Sequence, residues 1–144
     1  MKKLISFFVL IAILCTFVSG FAAPQTLSSD YYGNSKGLIV ITNPEYQKSN
    51  TLEKNYVISG YGNDGVELGF YKLTGGKYAK FSSSSIGASG LFMKQVALSG
   101  GKNSILVVAK DRYGNVQTER LEINLLNQRF LSTLKSVAAN LMGL

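Results

Sequence analysis

Short apolar stretches alternate with turn residues along most of the chain. From Lys36 to Leu125, hydrophobic side chains tend to recur at every second position, and Gly, Asn and Asp residues interrupt them at about ten-residue spacing. Alternation of this kind predicts strands that bury one face, and the regular turns are typical of a β-sandwich. The pattern predicts seven strands, at 37–42, 55–61, 66–73, 77–81, 91–98, 103–111 and 116–125.

Two neighbouring strands of this predicted sandwich, at 66–73 and 103–111, are apolar on both faces. If one apolar set of each strand points to the core, the other set points outward, and this outward set is Tyr71, Leu73, Leu106 and Val108. A contiguous apolar patch on an exported domain usually marks a surface that something covers. We therefore take these four residues as candidate binding residues.

After the last strand the period changes to that of a helix. Phe130, Leu134, Val137 and Leu141 fall at i, i+4, i+7 and i+11, which predicts an amphipathic helix at 127–142. Three interpretations stay open: the helix folds back onto the outward patch, it binds a partner or a second copy, or it lies on a membrane surface. The four stripe residues join the candidate binding set.

The stretch ILVVAKDRYGN, from Ile105 to Asn115, ends a strand and enters a tight turn. Asp111 falls at the strand end, where its carboxylate can accept backbone N–H bonds, and Gly114 and Asn115 complete the turn. A catalytic acid would need a partner, and the chain contains no histidine. We interpret Asp111, Gly114 and Asn115 as structural.

The N-terminus has the order of a secretory signal peptide. A lysine pair at Lys2 and Lys3 precedes an apolar run and small residues before Pro24, which predicts a signal peptide at 1–22, a mature chain that starts at Ala23, and a flexible segment at 23–36. The alternative is an uncleaved membrane anchor formed by residues 4–23. In both cases the domain lies outside the cytoplasm, secreted or held at the cell surface.

The charge of the chain bears on the kind of partner it can bind, and its cysteine content bears on whether it can form disulfides. The whole chain has net charge +7, and without the lysine pair 13 basic and 8 acidic residues remain, a net +5 that is spread along the sequence. Nucleic-acid binding is not expected, because the basic residues form no stripe with interleaved aromatics. Cys15 is the only cysteine and lies in the predicted signal peptide, so no disulfide is available to the mature domain.

The second half of the strand region also carries a family resemblance. The stretch from Gly90 to Asn115, GLF...VALSGGKNSILVVAKDRYGN, resembles bacterial immunoglobulin-like domains of the glucodextranase domain-B type. Upstream, IVITNP with Pro44 and YVISGYG with Gly60 are similar to the first two strands of that family. The resemblance implies a seven-stranded immunoglobulin-like β-sandwich, which we place at 37–126, and an accessory or adhesive role on a bacterial surface.

The expected function is non-covalent binding or adhesion at a bacterial cell surface, with a protein or a cell-wall polymer as partner. Glycan binding is the alternative, since tyrosine is plentiful, although tryptophan is absent. A small secreted enzyme is the third class, and the hydroxyls of Ser82–Ser85 have no evident base to activate them. We predict no cofactor and no metal site, because no dense acidic loop occurs. Self-association stays open.

Overall fold

A computed structural model describes residues 23–143, without the side chains of residues 128–131. The predicted signal peptide at 1–22, nearly all of the alternative anchor at 4–23, and the side chain of Phe130 lie outside the described residues. Nine strands and one helix form in this part of the chain: β1 (Thr26–Ser28), β2 (Ile39–Asn43), β3 (Lys48–Thr51), β4 (Asn55–Gly62), β5 (Glu67–Thr74), β6 (Lys77–Ser85), β7 (Leu91–Ala97), β8 (Gly101–Lys110), β9 (Val116–Leu125) and α1 (Gln128–Met142). Each predicted strand has a counterpart here, and β1 and β3 are additional.

The strands form two sheets. The large sheet has six strands in the order β1-β6-β5-β8-β9-β3, and the small sheet has three in the order β2-β4-β7. All pairs are antiparallel except β3 with β9, which run parallel. The expected all-β sandwich is therefore confirmed at the level of its two sheets.

The core lies between the two sheets and is filled by inward side chains of both. Phe70 of the large sheet faces Phe92 of the small sheet, with ring centroids 6.5 Å apart. The other buried members of the core are Leu38, Ile39, Ile58, Val66, Leu68, Ile86, Val96, Leu98, Ile105, Val107, Ala109, Leu121 and Ile123. Each large side chain contributes roughly 1.5–3 kcal/mol on full burial, so this layer is the main source of stability.

A buried glutamine links the two sheets where no strands pair. Gln117 of β9 accepts hydrogen bonds at Oε1 from the backbone N–H groups of Leu38 (2.8 Å) and Ile39 (3.2 Å). Its Nε2 donates to the carbonyl oxygen of Ile39 (2.9 Å). The side-chain amide thus satisfies backbone groups at the start of β2 that would otherwise be buried without partners.

The N-terminal segment at 23–36 crosses the outer face of the large sheet. Its strand β1 pairs with the first residues of β6, with Leu27 opposite Tyr78. Further along, Asn34 forms a bridge with Gln117, and the N–H of Ser35 donates to the carbonyl oxygen of Val116 (2.9 Å). The backbone of the segment that the sequence predicts to be flexible is thus paired with β6 near its start and with β9 near its end.

Helix α1 exposes the apolar stripe that the sequence predicts for it. Leu134, Val137 and Leu141 are 48%, 49% and 83% exposed. Fold-back of this helix onto the outward patch is one of the three interpretations that the sequence leaves open, and in the structure Leu27 of the N-terminal segment packs on that patch. Within residues 23–143, no helix combines the length and the apolarity that crossing a bilayer requires.

Candidate functional site: the cleft beside the N-terminal segment

The four outward strand residues lie together on the large sheet, and two of them are fully covered. Tyr71 is 1% exposed and Leu106 is 0% exposed, whereas Leu73 and Val108 keep part of their surface in solvent. The cover is Leu27, which packs with Tyr71, Leu106 and Tyr78 in a second, smaller apolar cluster. The four residues therefore share the outer face of the large sheet, and the N-terminal segment, which the sequence analysis did not consider as a cover, lies over two of them.

Arginine and threonine side chains of β9 hold the covering segment in place. The guanidinium of Arg120 donates to the carbonyl oxygens of Ser29 and Tyr31, at 2.8 Å in each case. Thr118 Oγ1 accepts from the N–H of Gly33 at 3.1 Å. Because these contacts reach backbone groups that have no strand partner, they set the path of the segment across the sheet.

Beside this segment the sheet surface is open, and a glycine forms its floor. Gly69 of β5 lies opposite Ser83 of β6 on one side and Val108 of β8 on the other. In the next row along the strands, Glu67 lies between Ser85 and Lys110. Gly69 has no side chain, and the ring of Tyr71 occupies part of the space above it, beside the cleft.

The resulting cleft has a volume of about 520 Å³. Ala23, Pro24, Leu27 and Tyr31 line it from the N-terminal segment, and Val116 lines it from β9. Sites for small ligands usually enclose roughly 300–1,000 Å³ and combine an apolar lining with a few polar groups. This cleft has both properties.

The polar groups of the cleft lie along its rim. Ser83 and Ser85, which lie opposite Gly69 and Glu67, present hydroxyls on this face, and Glu67, Lys80 and Lys110 add one negative and two positive charges. Lys80 is also tied to the N-terminal segment, because its backbone N–H donates to the carbonyl oxygen of Gln25 at 2.8 Å and its Nζ donates to the carbonyl oxygen of Ala23 at 3.5 Å. The arrangement suits a ligand with an apolar body and a polar or acidic end.

Tyr71 connects the covering segment to the floor. Its hydroxyl donates to the carbonyl oxygen of Pro24 at 3.0 Å. Burial raises the pKa of this phenol above its ordinary value, and the neighbouring Tyr31 adds to the rise. The hydroxyl therefore stays protonated at neutral pH and keeps donating this hydrogen bond.

The turn after β8 has the hydrogen bonds that the sequence predicts. Asp111 Oδ1 accepts from the N–H groups of Tyr113 and Asn115, at 2.9 Å in each case, and Oδ2 accepts from Asn115 Nδ2 at 2.7 Å. Gly114 has φ of 87°, a conformation that favours glycine. The side-chain and backbone donors of Asn115 and the N–H of Tyr113 hold the pKa of Asp111 below its ordinary value.

The outer face of the small sheet carries a second apolar surface, which the sequence analysis did not predict. Val40, Tyr61 and Leu91 form one row across β2, β4 and β7 on the outer face of the small sheet, and Met93 follows in the next row. All four side chains are exposed. The alternation of side chains along β7 could have revealed this surface. Phe92 and Val96 point to the core, so Leu91 and Met93 point away from it.

In the part of the chain from 23 to 143, no three His, Cys, Asp or Glu residues lie close enough together to hold a metal ion. Comparison with known proteins adds no assignment. No protein-family model matches the chain, and no curated protein matches it either.

Proposed function

We propose that this chain is an exported bacterial domain that binds its ligand non-covalently in the cleft over Gly69. The observation that carries the proposal is the cleft itself, with an apolar lining and a polar rim on the outer face of a rigid sheet. Sites built on strands hold their side chains in defined positions, which favours recognition. The ligand class is an apolar or aromatic group with a polar or acidic end.

An immunoglobulin-like fold belongs to the same proposal. The neighbouring strands β5-β8-β9 correspond to strands C, F and G of such a domain, and β2-β4-β7 correspond to A, B and E. The resemblance of the stretch from Gly90 to Asn115 to bacterial immunoglobulin-like domains supports the same assignment. We also propose that the domain acts at the cell surface and that it binds without catalysing a reaction.

Cell-wall glycan binding is the second candidate, and the serine row favours it. The hydroxyls of Ser83 and Ser85 lie on the cleft side of β6, where they can donate to and accept from sugar hydroxyls. Tyr71 offers no stacking surface, since its ring is covered. Tyr31 is the tyrosine that reaches the cleft with part of its ring exposed.

A substitution that fills the cleft tests this function. Ser83 is exposed and lies opposite Gly69, so Ser83→Trp puts an indole over the floor without disturbing the core. The protein would be incubated with purified peptidoglycan, other envelope polysaccharides and envelope proteins, and bound protein would be quantified. We expect the wild type to bind one of these fractions and Ser83→Trp to lose that binding.

The matched control is Thr74→Trp, at an exposed position by the β5–β6 turn, away from the lining of the cleft. It should bind as the wild type does. Equal binding by Ser83→Trp and the wild type would contradict the cleft as the site. Binding to a polysaccharide fraction that the cleft variant loses would select the glycan candidate.

A further inference from the structure

The outer face of the small sheet lacks charge. Its outward positions are Val40, Thr42, Asn55, Val57, Ser59, Tyr61, Leu91, Met93, Gln95 and Ala97. None of these is ionisable at neutral pH, and Lys94, the one charged residue in the three strands, alternates to the inner side between Phe92 and Val96. In a chain with 15 basic and 8 acidic residues, this is a surface of unusual composition.

The apolar residues of this face are contiguous. Val40 pairs with Tyr61, and Tyr61 pairs with Leu91, so three apolar side chains stand side by side across the whole sheet. Met93, two residues after Leu91 on the same strand, extends the row. Leu91 and Met93 are 67% and 75% exposed. Exposed apolar patches of roughly 300–600 Å² on a folded domain are often functional.

We propose that this charge-free face packs against the same face of a second copy of this chain. Two copies of the chain from Ala23 onward, each with 13 basic and 8 acidic residues and a net charge of +5, repel each other, and the repulsion is smallest where neither surface carries charge. A sheet face with protruding apolar side chains is also suited to face-to-face packing, in which such side chains interdigitate at about 10 Å between sheets. The sandwich core of each copy uses the same kind of contact.

The size of the face sets the strength of the dimer. The three strands lie about 4.8 Å apart and contain five, eight and seven residues, which at about 3.3 Å per residue give each copy a footprint of roughly 320 Å² in projection. Two copies would bury roughly 640 Å² in projection, below the about 1,200–2,000 Å² of stable specific interfaces and within the range of weak, transient ones. We therefore infer a weak, concentration-dependent dimer that forms where the local concentration is high.

Sedimentation velocity of the chain from Ala23 onward tests this proposal, since all nine described strands lie within that part. The protein would be measured from about 10 µM to about 1 mM, with a dimer expected in the upper part of the range. Leu91→Glu and Met93→Glu should each raise the dissociation constant at least about tenfold, because the new carboxylate would be desolvated without a partner. Both positions are exposed, so unchanged melting should accompany the loss.

Leu134→Glu on the exposed stripe of α1 is the matched control and should leave the dimer intact. Raising NaCl from about 50 mM to about 500 mM should strengthen the dimer, because salt screens the repulsion between the basic copies. A monomer at every concentration would overturn the proposal. So would a dimer that Leu134→Glu abolishes and Leu91→Glu leaves intact, which would assign association to the helix.

Discussion

The ring of Tyr71 lies over Gly69, so that a Cβ at Gly69 would come within 2.7 Å of Tyr71 Cε2. This contact brings together the two parts of the candidate site. Gly69 lies in the floor of the cleft, and Tyr71 holds the N-terminal segment through its bond to Pro24. The missing side chain at position 69 thus makes room for both the tyrosine ring and the cleft.

Gly69→Ala should therefore displace Tyr71 and destabilise the fold. No positive φ occurs at Gly69, so the cost comes from the contact with a buried ring, and overpacking of this kind typically costs about 1–3 kcal/mol. Chemical denaturation would measure the free energy of unfolding. Gly100→Ala is the control, because a Cβ there meets no atom within 4 Å. Equal stability of both variants would show that the tyrosine moves without cost.

Leu27→Ala should loosen the N-terminal segment. Leu27 is the side chain that covers Tyr71 and Leu106, and removing it should lower the free energy of unfolding by about 2 kcal/mol, the lower end for a buried leucine. The segment should also become more sensitive to proteases, which mass spectrometry of the fragments would show. Thr26→Ala, at an exposed position in the same strand, should have neither effect. Protease resistance in Leu27→Ala would contradict this account of the cover.

Deleting residues 128–144 should leave the melting temperature close to that of the full chain. The apolar stripe of α1 is exposed, so the helix buries little apolar surface against the rest of the domain. Its removal should therefore cost little stability. Differential scanning calorimetry of both proteins is the measurement. A clear drop in melting temperature, together with new dye binding, would restore the fold-back interpretation that the structure argues against.

Asp111→Asn should destabilise the turn in a pH-dependent way. The pKa of Asp111 is lowered in the folded state, so its contribution to stability is present above the unfolded value of about 3.9 and is lost as the pH falls through the lower, folded value. The variant should melt below the wild type at neutral pH, and the difference should shrink in acid. Thermal melts at several pH values would show this. A difference that stays constant with pH would contradict a charge-dependent role.

Gln117→Leu should weaken the link between the sheets. The N–H groups of Leu38 and Ile39 would lose their acceptor inside the protein, and each buried unpaired group costs about 1–3 kcal/mol. Urea denaturation is the measurement, with Gln47→Leu at an exposed position as the control. A Gln117→Leu variant as stable as the wild type would mean that water replaces the amide.

Strands β1 and β3 could not be predicted from an alternation of apolar and polar residues. β3 has the sequence KSNT, which contains no apolar residue, and β1 contains one, Leu27. Strands this short form because a partner strand offers unpaired backbone groups, and that depends on tertiary structure more than on local preference. The seven strands with apolar alternation were predictable because their pattern itself requires a buried face.

The candidate site was predictable in part for the same reason. Alternation places Tyr71 and Leu106 on the outer face, but it does not say which of two apolar segments covers them. The helical stripe after β9 has more apolar residues than the segment around Leu27 and Tyr31. For this reason the sequence analysis considered the helix as a cover for the patch. In the structure, Arg120 donates hydrogen bonds to backbone oxygens of the N-terminal segment and so helps to hold that segment on the sheet. A single arginine in a strand sequence does not predict such a contact.

The most direct test of the central claim is to map where an aromatic anion binds. Backbone amide shifts would be followed by NMR during titration with 1-anilinonaphthalene-8-sulfonate, which combines an apolar body with an acidic end. We predict saturable shifts centred on Gly69, Ser83 and Val108, and their loss in Ser83→Trp. Shifts confined to Leu91 and Met93 on the small sheet, or shifts that persist in Ser83→Trp, would contradict a binding site in the cleft.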